Sequence, residues 1–405
     1  MKHVIIGVGA AGISAAKTIR QHRELDEIVM ISTDEVVYSR CMLHKYIGGE
    51  RTVSELSFVH PQFFCDNKIR WIYGAPVTQV DSDKKHVFFG KGAEAYDKLL
   101  IATGSQSAFP PINGLHEARD VYGLRDLSDA KAIRKKAAEA KHIVIIGAGL
   151  VGLDAAYGLT ELGKKPVIIE ASESILSANL DAHAATVYQK NFEGSGCRFR
   201  LGTKVREVVR KADESVGVVV LDNEERLPCD LLIVAAGISP AVGFLINSEI
   251  ACDHGVVVDR YLAANADGVY AAGDVTGLSS SWPSAIEQGE VAALNMCGVP
   301  TVYDEVISLK NTVNFFGVAS LSVGQFMPND GDEVNIREDR GRYQKVIIRD
   351  GVPVGVILQG DISRSGFWQY LIENKVSIAS IPKSVWKISF ADSYGMDKNG
   401  EYMWV

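Results

Sequence analysis

Two glycine-rich loops constrain the fold of this chain more than any other feature of its sequence. Each follows an apolar strand pattern and precedes an alanine-rich helix pattern, in the segments KHVIIGVGAAGISAAKTIR and KHIVIIGAGLVGLDAAYGLTELG. Both have the spacing GxGxxG, formed by Gly7, Gly9 and Gly12 in the first loop and by Gly147, Gly149 and Gly152 in the second. Strand, loop and helix in this order are typical of a dinucleotide-binding unit. Two such units predict an α/β fold with two Rossmann-like, three-layer nucleotide-binding domains.

The glycines of each loop have separate tasks. The first permits a tight turn, the second lets the backbone approach a pyrophosphate, and the third allows the helix to pack closely on the strand. The free amides at the helix N-terminus then face the phosphate oxygens. We therefore expect cofactor contacts from the glycines and from the residues beside them, which are Ala10 in the first loop and Leu150 and Val151 in the second.

An acidic residue after each loop would bind a ribose. Glu170 ends the strand pattern KKPVIIE, 23 residues beyond Gly147, which suits a carboxylate that accepts from both ribose hydroxyls of NAD. No arginine follows closely to bind a 2′-phosphate, so the sequence favours NADH over NADPH. After the first loop Ser32 stands where an acid is usual, and Asp34 and Glu35 follow just beyond. Which residue contacts the first ribose therefore stays open.

Composition excludes several functional classes. The net charge of -8 argues against a nucleic-acid partner, and no run reaches the roughly 18 apolar residues that a membrane span requires. No apolar segment of signal-peptide length follows Met1, so we expect a cytoplasmic protein. The six cysteines are scattered without a CxxC pair, which argues against a metal or iron–sulfur site within this chain.

Three further stretches carry a resemblance to a known family. They are YDKLLIATGS, which contains Ala102, Thr103 and Gly104, GVYAAGDVT, which contains Gly273 and Asp274, and WPSAIEQGEVAALNMCG. In this order around two dinucleotide loops, they resemble the FAD-dependent pyridine nucleotide–disulfide oxidoreductase superfamily over about residues 1–310. The resemblance implies that the first loop binds FAD and the second binds NAD(P)H, with a glutathione reductase-like arrangement of the two domains.

The resemblance also implies domain boundaries and further contact residues. We expect an FAD-binding domain at 1–112 and 240–310, an NAD(H)-binding domain at 113–239, and a C-terminal α+β domain at 311–405. Asp274 would hydrogen-bond the ribityl chain or the pyrophosphate region of FAD. Cofactor contacts outside the glycine loops are implied for Ser32, Glu35, Arg40, Cys41, Lys45, Val77, Ala102, Thr103, Gly104, Glu170, Gly237, Gly273, Asp274 and Ala285.

The C-terminal segment narrows the resemblance to one branch. In YQKVIIRDGVPVGVILQGDISRSGFWQYLIENK, the dipeptide Asp350-Gly351 between alternating apolar runs predicts a hairpin, and a helix follows. The segment resembles the C-terminal domain of NADH oxidases, coenzyme A-disulfide reductases, rubredoxin reductases and the flavin segment of NADH-dependent nitrite reductase. This domain supports dimerisation in much of that superfamily, so we expect a homodimer.

The stretch YSRCMLHKYIGGE contains two candidate catalytic residues, Cys41 and Lys45. Cys41 precedes a YIGG sequence, as the reactive cysteine of NADH oxidases and coenzyme A-disulfide reductases does, and the adjacent Arg40 could lower its pKa. However, Ala10 stands where those enzymes usually carry a histidine, and no second cysteine lies nearby. Cys41 is therefore either a redox thiol or a small residue of the flavin pocket.

Lys45 resembles the lysine that approaches the flavin in ferredoxin-type reductases and in relatives of apoptosis-inducing factor. There the lysine pairs with an acid on the helix after the NAD loop, and Asp154 occupies that position here. A buried lysine is costly unless it is paired, so each residue supports the other. The alternative is that Lys45 extends into solvent and Asp154 caps locally.

Together these features predict an oxidoreductase that transfers hydride from NADH to FAD. The electrons would then pass to a small iron protein of rubredoxin or ferredoxin type, or to a partner subunit. One alternative is an NADH oxidase or coenzyme A-disulfide reductase that uses Cys41. Another is a flavoprotein with a mainly structural or redox-sensing role.

Overall fold

The structure is a computed structural model that describes residues 1–90, 92–304, 310–392, 394–396 and 398–404. Its α-helices, α1 to α8, are Ala10–His22, Leu43–Ile47, Phe63–Asp66, Leu127–Glu139, Leu150–Glu161, Ala182–Gly194, Trp282–Met296 and Ser365–Glu373. Short 3-10 helices occur at Arg40–Met42, Ser54–Leu56, Gly243–Leu245, Asp274–Thr276, Val385–Lys387 and Phe390–Asp392. Among the described residues, no helix is both long enough and apolar enough to cross a membrane.

The strands are numbered β1 to β25 in chain order. The first twelve are Lys2–Ile6, Glu27–Ile31, Ile69–Ile72, Val77–Asp81, His86–Phe89, Gly92–Ala95, Lys98–Ile101, Ser105–Ser107, Val121–Tyr122, Ile143–Ile146, Val167–Ile169 and Arg198–Arg200. The others are Val205–Arg210, Val216–Leu221, Arg226–Pro228, Leu231–Val234, Ile238–Pro240, Val269–Ala271, Lys310–Phe315, Val318–Gly324, Glu333–Asp339, Arg342–Arg349, Val352–Gln359, Tyr394–Met396 and Tyr402–Trp404.

The chain divides into two compact units. The first unit comprises Met1–Ile146, Asp154–Lys164 and Val205–Glu305, and the second comprises Gly147–Leu153, Lys165–Lys204 and Val306–Val405. The expected domain boundaries at 112, 239 and 310 stay a prediction.

The first unit is centred on a parallel sheet in the order β18-β7-β1-β2-β3. Both faces of this sheet are apolar. Val4 and Ile6 point to one face and pack with Val80 and Val87 of the hairpin β4–β5, whereas Ile5 points to the other face and packs under α1 and α7. A strand that is covered on both faces reads as a continuous apolar run, which explains the sequence pattern VII.

Helices α1 and α7 approach each other unusually closely. A Cβ atom added to Gly289 of α7 would overlap the backbone carbonyl of Ala11 in α1. Small residues therefore determine the separation of the two helices, and Ala15, Ala292 and Ala293 complete their buried contact. This packing holds the N-terminus of α1 at the carboxyl end of β1, where a dinucleotide-binding unit places its ligand.

The remaining strands of the first unit form smaller sheets. Strand β10 pairs in parallel with β16, and β16 pairs in parallel with β9. Strands β4–β5–β6 and β13–β14–β15 are antiparallel meanders, and β8 pairs with β17.

The second unit contains an antiparallel sheet in the order β19-β20-β23-β22-β21, with α8 packed on one face through the buried Trp368 and Leu371. Strands β22 and β23 form the hairpin that was predicted at Asp350 and Gly351, whose φ angles of 50° and 77° fit a two-residue turn. In the same unit β11 pairs in parallel with β12, and β24 pairs with β25. Parallel Rossmann-like sheets followed by an α+β segment confirm the expected fold class.

Candidate functional site

The first glycine loop has the geometry that its sequence predicts. Gly7 has a φ of 111°, and a Cβ atom there would overlap the carbonyl of Ala102. A Cβ on Gly12 would likewise overlap the carbonyl of Gly7, so the third glycine permits the close helix–strand packing. By contrast, no atom lies within 4 Å of a Cβ built on Gly9, and Gly9 caps α1 without a side-chain hydrogen bond. The first turn of α1 thus presents amides to open space, which fits a bound pyrophosphate.

A cavity of about 290 Å³ opens at this loop. Most of the residues that were predicted to contact FAD line its wall, namely Gly7, Gly9, Ala10, Ser32, Arg40, Cys41, Val77, Ala102, Thr103, Gly104, Gly273, Asp274 and Ala285. Three predicted residues, Gly12, Glu35 and Lys45, are not among the lining residues. Gly12 packs the helix, whereas Glu35 lies beside Gly74 and Lys45 binds Glu50.

The hydroxyl of Ser32 is engaged within the protein. It donates to the carbonyl of Asp34 at 2.7 Å and accepts from the indole N–H of Trp71 at 2.9 Å. The Asp34 carboxylate accepts from the Tyr38 hydroxyl at 2.9 Å and from the Arg40 guanidinium at 2.8 Å. Ser32 therefore supports the loop, and the ribose contact stays open between Asp34 and Glu35.

Sequence reasoning missed one charged residue of the cavity, Arg125. Its guanidinium donates to the Asp274 carboxylate at 2.5 Å and to the Ser105 carbonyl at 3.1 Å. Burial lowers the pKa of Arg125 and the nearby Arg40 adds to that effect, whereas Asp274 opposes it. The sequence signal that could have drawn attention to Arg125 was its position directly before Asp126, the N-cap residue of α4, which forms a capping box.

Arg40 and Arg125 place two guanidiniums in the wall of the cavity, beside the carboxylates of Asp34 and Asp274. Both side chains line it, and Arg40 also donates to the backbone carbonyl of Arg125 at 3.0 Å. Each guanidinium already has one carboxylate partner, Asp34 for Arg40 and Asp274 for Arg125. Five N–H donors per guanidinium leave capacity for a phosphate ligand in addition to these partners.

Cys41 lines the cavity and is accessible from it. The expectation that Arg40 could lower its pKa is wrong, because the Arg40 guanidinium is directed to Tyr38 and Asp34. Burial raises the pKa of Cys41, the carboxyl of Asp154 raises it further, and Arg125 only partly offsets the rise. The side chain is therefore a protonated thiol at neutral pH.

The predicted ion pair between Lys45 and Asp154 is replaced by two other contacts. The Lys45 ammonium binds both carboxylate oxygens of Glu50, at 2.9 and 2.8 Å, and lies 4.9 Å from the centre of the Tyr157 ring. Asp154 instead faces His44, whose Nδ1 is 3.3 Å from Oδ1 of the carboxyl. The physical reason is local: Glu50 follows the end of α2 and reaches Lys45 without any tertiary contact.

Lys45 still acts on Asp154 through space. Burial raises the pKa of the Asp154 carboxyl to about 8, and the charge of Lys45 partly opposes this rise. Burial lowers the pKa of His44 to about 4, with Lys45 adding to the effect. About a quarter of the Asp154 side chain remains accessible, and protein surrounds the rest of it.

The second glycine loop repeats the geometry of the first. Gly147 has a φ of 102° and donates to the Ile169 carbonyl at 2.7 Å, and Gly149 again has nothing within 4 Å of an added Cβ. The Glu170 carboxylate accepts from the amides of Ala148 at 2.7 Å and Ser172 at 2.9 Å, so it is fixed beside the loop. This arrangement fits the adenosine side of a nicotinamide dinucleotide.

The other predicted residues have less distinctive surroundings. Leu150 begins α5, the next residue Val151 is 39% exposed, and Gly152 is buried. Gly237 precedes β17 with a φ of 128° and open space at its Cα.

Comparison with known proteins supports the interpretation of the two glycine loops as parts of a dinucleotide-binding oxidoreductase. Residues 1–289 match the family described as pyridine nucleotide-disulphide oxidoreductase, and residues 310–376 match the rubredoxin NAD+ reductase C-terminal domain. The chain is 32% identical over 396 residues to the NADH-dependent phenylglyoxylate dehydrogenase subunit epsilon of Aromatoleum evansii, covering 94% of this chain and 93% of that protein. It is 28% identical to the rubredoxin-NAD(+) reductase of Pseudomonas putida, over 74% of this chain and 81% of that one.

Among solved structures, the NAD-dependent persulfide reductase from A. fulgidus superposes with a TM-score of 0.83 at 25% identity, covering 93% of this chain and 78% of that one. Some relatives are longer. The chain spans 47% of an assimilatory nitrate reductase electron transfer subunit and 48% of a nitrite reductase, both from Bacillus subtilis.

Proposed function

The chain belongs to the pyridine nucleotide-disulphide oxidoreductase family, and we propose that it passes electrons from NADH, through FAD, to a small iron redox protein or a partner subunit. It is an FAD-dependent NADH oxidoreductase. The chemistry that bound FAD supplies is the acceptance of hydride from NADH and the release of electrons to an acceptor. The observation that carries the proposed acceptor is the match of residues 310–376 to the C-terminal domain of rubredoxin NAD+ reductase.

The residues of the first loop would hold FAD. Amides at the start of α1 and the guanidiniums of Arg40 and Arg125 would bind the pyrophosphate, because both arginines line the cavity that opens at Gly9. Asp274 would accept from a hydroxyl of the ribityl chain, in an orientation that Arg125 fixes. These roles are chemically consistent, since the anionic pyrophosphate would bind two guanidiniums and a ribityl hydroxyl would donate to the Asp274 carboxylate.

The residues of the second loop would bind NADH. Glu170 would accept from the adenosine ribose hydroxyls, and the open space at Gly149 would receive the pyrophosphate. Lys45 would contribute positive charge near the site where hydride arrives. Because Glu50 neutralises Lys45 in part, we expect a moderate effect of this lysine on the reaction.

The state of Cys41 supports an iron acceptor over a disulfide or oxygen. Reaction of a cysteine with a disulfide or peroxide requires the thiolate. Burial and Asp154 raise the pKa of Cys41, which opposes thiolate formation. A role as a pocket residue agrees with this environment.

A partner subunit is the second candidate acceptor. The phenylglyoxylate dehydrogenase subunit that resembles this chain over nearly its whole length is, by its name, one component of a larger NADH-dependent enzyme. We further propose that the chain acts in the cytoplasm and that residues 311–405 support a homodimer.

The test is anaerobic reduction by NADH followed by rapid mixing with one acceptor at a time. The acceptors are rubredoxin, a [2Fe–2S] ferredoxin, coenzyme A disulfide and oxygen. We expect reoxidation by an iron protein to be faster than by the other acceptors and to persist in Cys41→Ser. Faster reoxidation by coenzyme A disulfide or oxygen, abolished in Cys41→Ser, would overturn the proposal. Slow reduction by NADH itself would favour a structural or sensing role.

A further inference from the structure

A buried nitrogen of His44, three residues after the cavity residue Cys41, lacks a hydrogen bond of good geometry within the described part of the chain. Nδ1 of His44 is shielded from solvent and makes no hydrogen bond of good geometry with the described residues, although the ring also interacts with the backbone of Cys41, which favours its protonated form. Oδ1 of Asp154 nevertheless lies 3.3 Å away. The two side chains are 11% and 27% exposed, so water has little access to the imidazole and partial access to the carboxyl. A ring nitrogen and a carboxyl oxygen at this separation attract each other when a proton lies between them, whereas two facing lone pairs repel.

One proton can satisfy this contact in two ways. The Asp154 carboxyl can be protonated and donate to Nδ1, with the ring proton on Nε2. Alternatively, Nδ1 can carry the ring proton and donate to an ionised carboxylate. The first arrangement is neutral, and the second has one negative charge, so the environment decides between them.

The environment favours the neutral arrangement at neutral pH. Burial raises the pKa of Asp154 and lowers that of His44. The positive charge of Lys45 is the main opposing influence on Asp154, and it is shared with the Glu50 carboxylate. The titratable and charged groups that act on the pair or contact it are Cys41, Lys45, Glu50 and Arg51 from the segment around α2, and Tyr157 from α5, whose ring lies edge-on to His44. Arg134 of α4 binds the Tyr46 carbonyl, and Glu161 of α5 lies beside Gly48.

We propose that His44 and Asp154 hold one exchangeable proton between Nδ1 and Oδ1 and thereby couple the electrostatics of the flavin cavity to pH. This inference rests on the proposed function. When the pair loses its proton, Nε2–H releases a proton to solvent, and the carboxyl proton moves to Nδ1. Asp154 is then a carboxylate that accepts from Nδ1–H, and the imidazole stays neutral throughout. Only bonds to hydrogen change, and the charge of the pair changes from 0 to −1.

The position of the pair connects this change to the proposed reaction. His44 lies one helical turn after Cys41, whose thiol lines the cavity and whose pKa responds to the charge of Asp154. Acceptance of hydride adds negative charge to the cavity. A neutral pair leaves that charge unopposed, whereas an ionised pair repels it. His44 and Asp154 are therefore positioning residues that favour reduction at neutral pH and disfavour it in alkaline solution.

The direct test is nuclear magnetic resonance of the FAD-loaded protein with ¹⁵N-labelled histidine. The chain has nine histidines, and loss of one signal set in His44→Gln assigns the resonance. Between about pH 6 and about pH 10 we expect His44 to stay neutral and to exchange an Nε2–H tautomer for an Nδ1–H tautomer as pH rises. An imidazolium that forms near the ordinary histidine pKa would overturn the proposal. A single tautomer over the whole range, such as Nδ1–H directed at the Cys41 carbonyl, would also overturn it.

A second test measures the midpoint potential of bound FAD as a function of pH. In Asp154→Asn the amide can still donate to Nδ1 but cannot titrate. We expect the plot of midpoint potential against pH to show one protonation step in alkaline solution for the native protein. This step should be absent in Asp154→Asn. Glu161→Gln, on the same helix, is the matched control and should keep that step. Identical profiles for Asp154→Asn and the native protein would overturn the coupling.

Neither readout requires an electron acceptor. Failure of the proposed acceptor would therefore leave the tautomer exchange intact, whereas failure of this inference would leave turnover with iron proteins intact.

Discussion

The guanidinium of Arg125 lies 2.5 Å from the carboxylate of Asp274, and both groups line the cavity at the first glycine loop. The Ser105 hydroxyl donates to the same carboxylate oxygen at 2.9 Å. The second carboxylate oxygen is thereby left available to a ligand, and the carboxylate is oriented before a ligand binds. Preorganisation of this kind lowers the entropic cost of binding.

Arg125→Gln should weaken FAD binding. The substitution removes a cation from the cavity and leaves the mostly buried Asp274 without its ionic partner. Loss of one partner of a buried pair costs about 3–5 kcal/mol, and we expect a smaller effect here because Ser105 remains. Flavin content after purification and the dissociation constant from flavin fluorescence measure the effect.

Arg119→Gln is the control for Arg125→Gln. Arg119 also pairs with an acid, Asp213, but its side chain is 65% exposed and it lies outside the cavity. Exposed pairs contribute about 0–1 kcal/mol. Equal loss of FAD in both variants would show that Arg125 acts through general stability rather than in the cavity.

Predictions that rest on local rules agreed with the structure. The loop at Gly7 and Gly9 and the turn at Asp350-Gly351 were predictable because backbone geometry at these positions depends on the few residues nearby. The position of Glu170 at the end of a strand was predictable for the same reason, whereas its contact with a ribose stays a prediction.

Predictions that depend on tertiary contacts were less successful. The carboxylates of Asp154 and Glu50 were both possible partners of Lys45. The path of the chain after Gly48 places Glu50 beside it. Arg125 belongs to no motif, and its role depends on how the loop before α4 packs against the cavity. The effect of Arg40 on Cys41 was wrong because sequence adjacency does not determine the direction of a side chain.

Cys41→Ser should retain FAD and reduction by NADH. Serine keeps the size of the side chain, and the raised pKa of Cys41 means that the native group is an uncharged thiol. We therefore expect the native oxidised protein to lack the long-wavelength absorption of a thiolate against flavin, and stopped-flow reduction to be unchanged within about twofold. Cys65→Ser, at an exposed cysteine, is the control. If Cys41→Ser lost flavin reduction by NADH and Cys65→Ser did not, the Cys41 thiol would be a redox centre.

The native protein should prefer NADH to NADPH because the Glu170 carboxylate repels a 2′-phosphate. Glu170→Ala should weaken NADH binding and reduce the preference for NADH over NADPH. In Glu170→Ala combined with A171R, the new guanidinium at this exposed position should bind the 2′-phosphate and shift the ratio of kcat/KM values toward NADPH by at least about tenfold. Glu173→Ala, in the same loop, should leave the ratio unchanged. A native preference for NADPH would contradict the role of Glu170.

Lys45→Met should cost little stability, since the Lys45–Glu50 pair is partly exposed and such pairs contribute about 0–1 kcal/mol. Its effect should fall on the flavin instead, because the lost positive charge lowers the midpoint potential of FAD and slows reduction by NADH. Urea unfolding and potentiometry measure the two effects separately. Glu50→Gln removes the opposing charge and should raise the potential. Unchanged potentials in both variants would place the pair outside the electrostatic field of the flavin.

Lys345→Met should strongly destabilise the second unit. The Lys345 ammonium is buried and donates to the Asp181 carboxylate at 3.0 Å and to the Phe326 carbonyl at 2.9 Å. Burial alone raises the pKa of Asp181, but the Ala184 amide and the side chains of Tyr343 and Lys345 together lower it below its ordinary value. A lowered folded-state pKa stabilises the protein above the ordinary pKa of about 3.9, and this stability is lost as pH falls through the folded-state value.

Removal of Lys345 leaves a buried carboxylate without its cation, so we expect a loss of about 3–5 kcal/mol near neutral pH, measured by urea unfolding. The difference from the native protein should shrink as pH falls below about 4, because protonation of Asp181 removes the charge that Lys345 compensates. Lys310→Met is the matched control, since Lys310 donates to the neutral Gln369 side chain at 2.8 Å and should cost only about 1 kcal/mol. A loss in Lys345→Met that does not change with pH would mean that packing of the lysine stem, and not its charge, stabilises this unit.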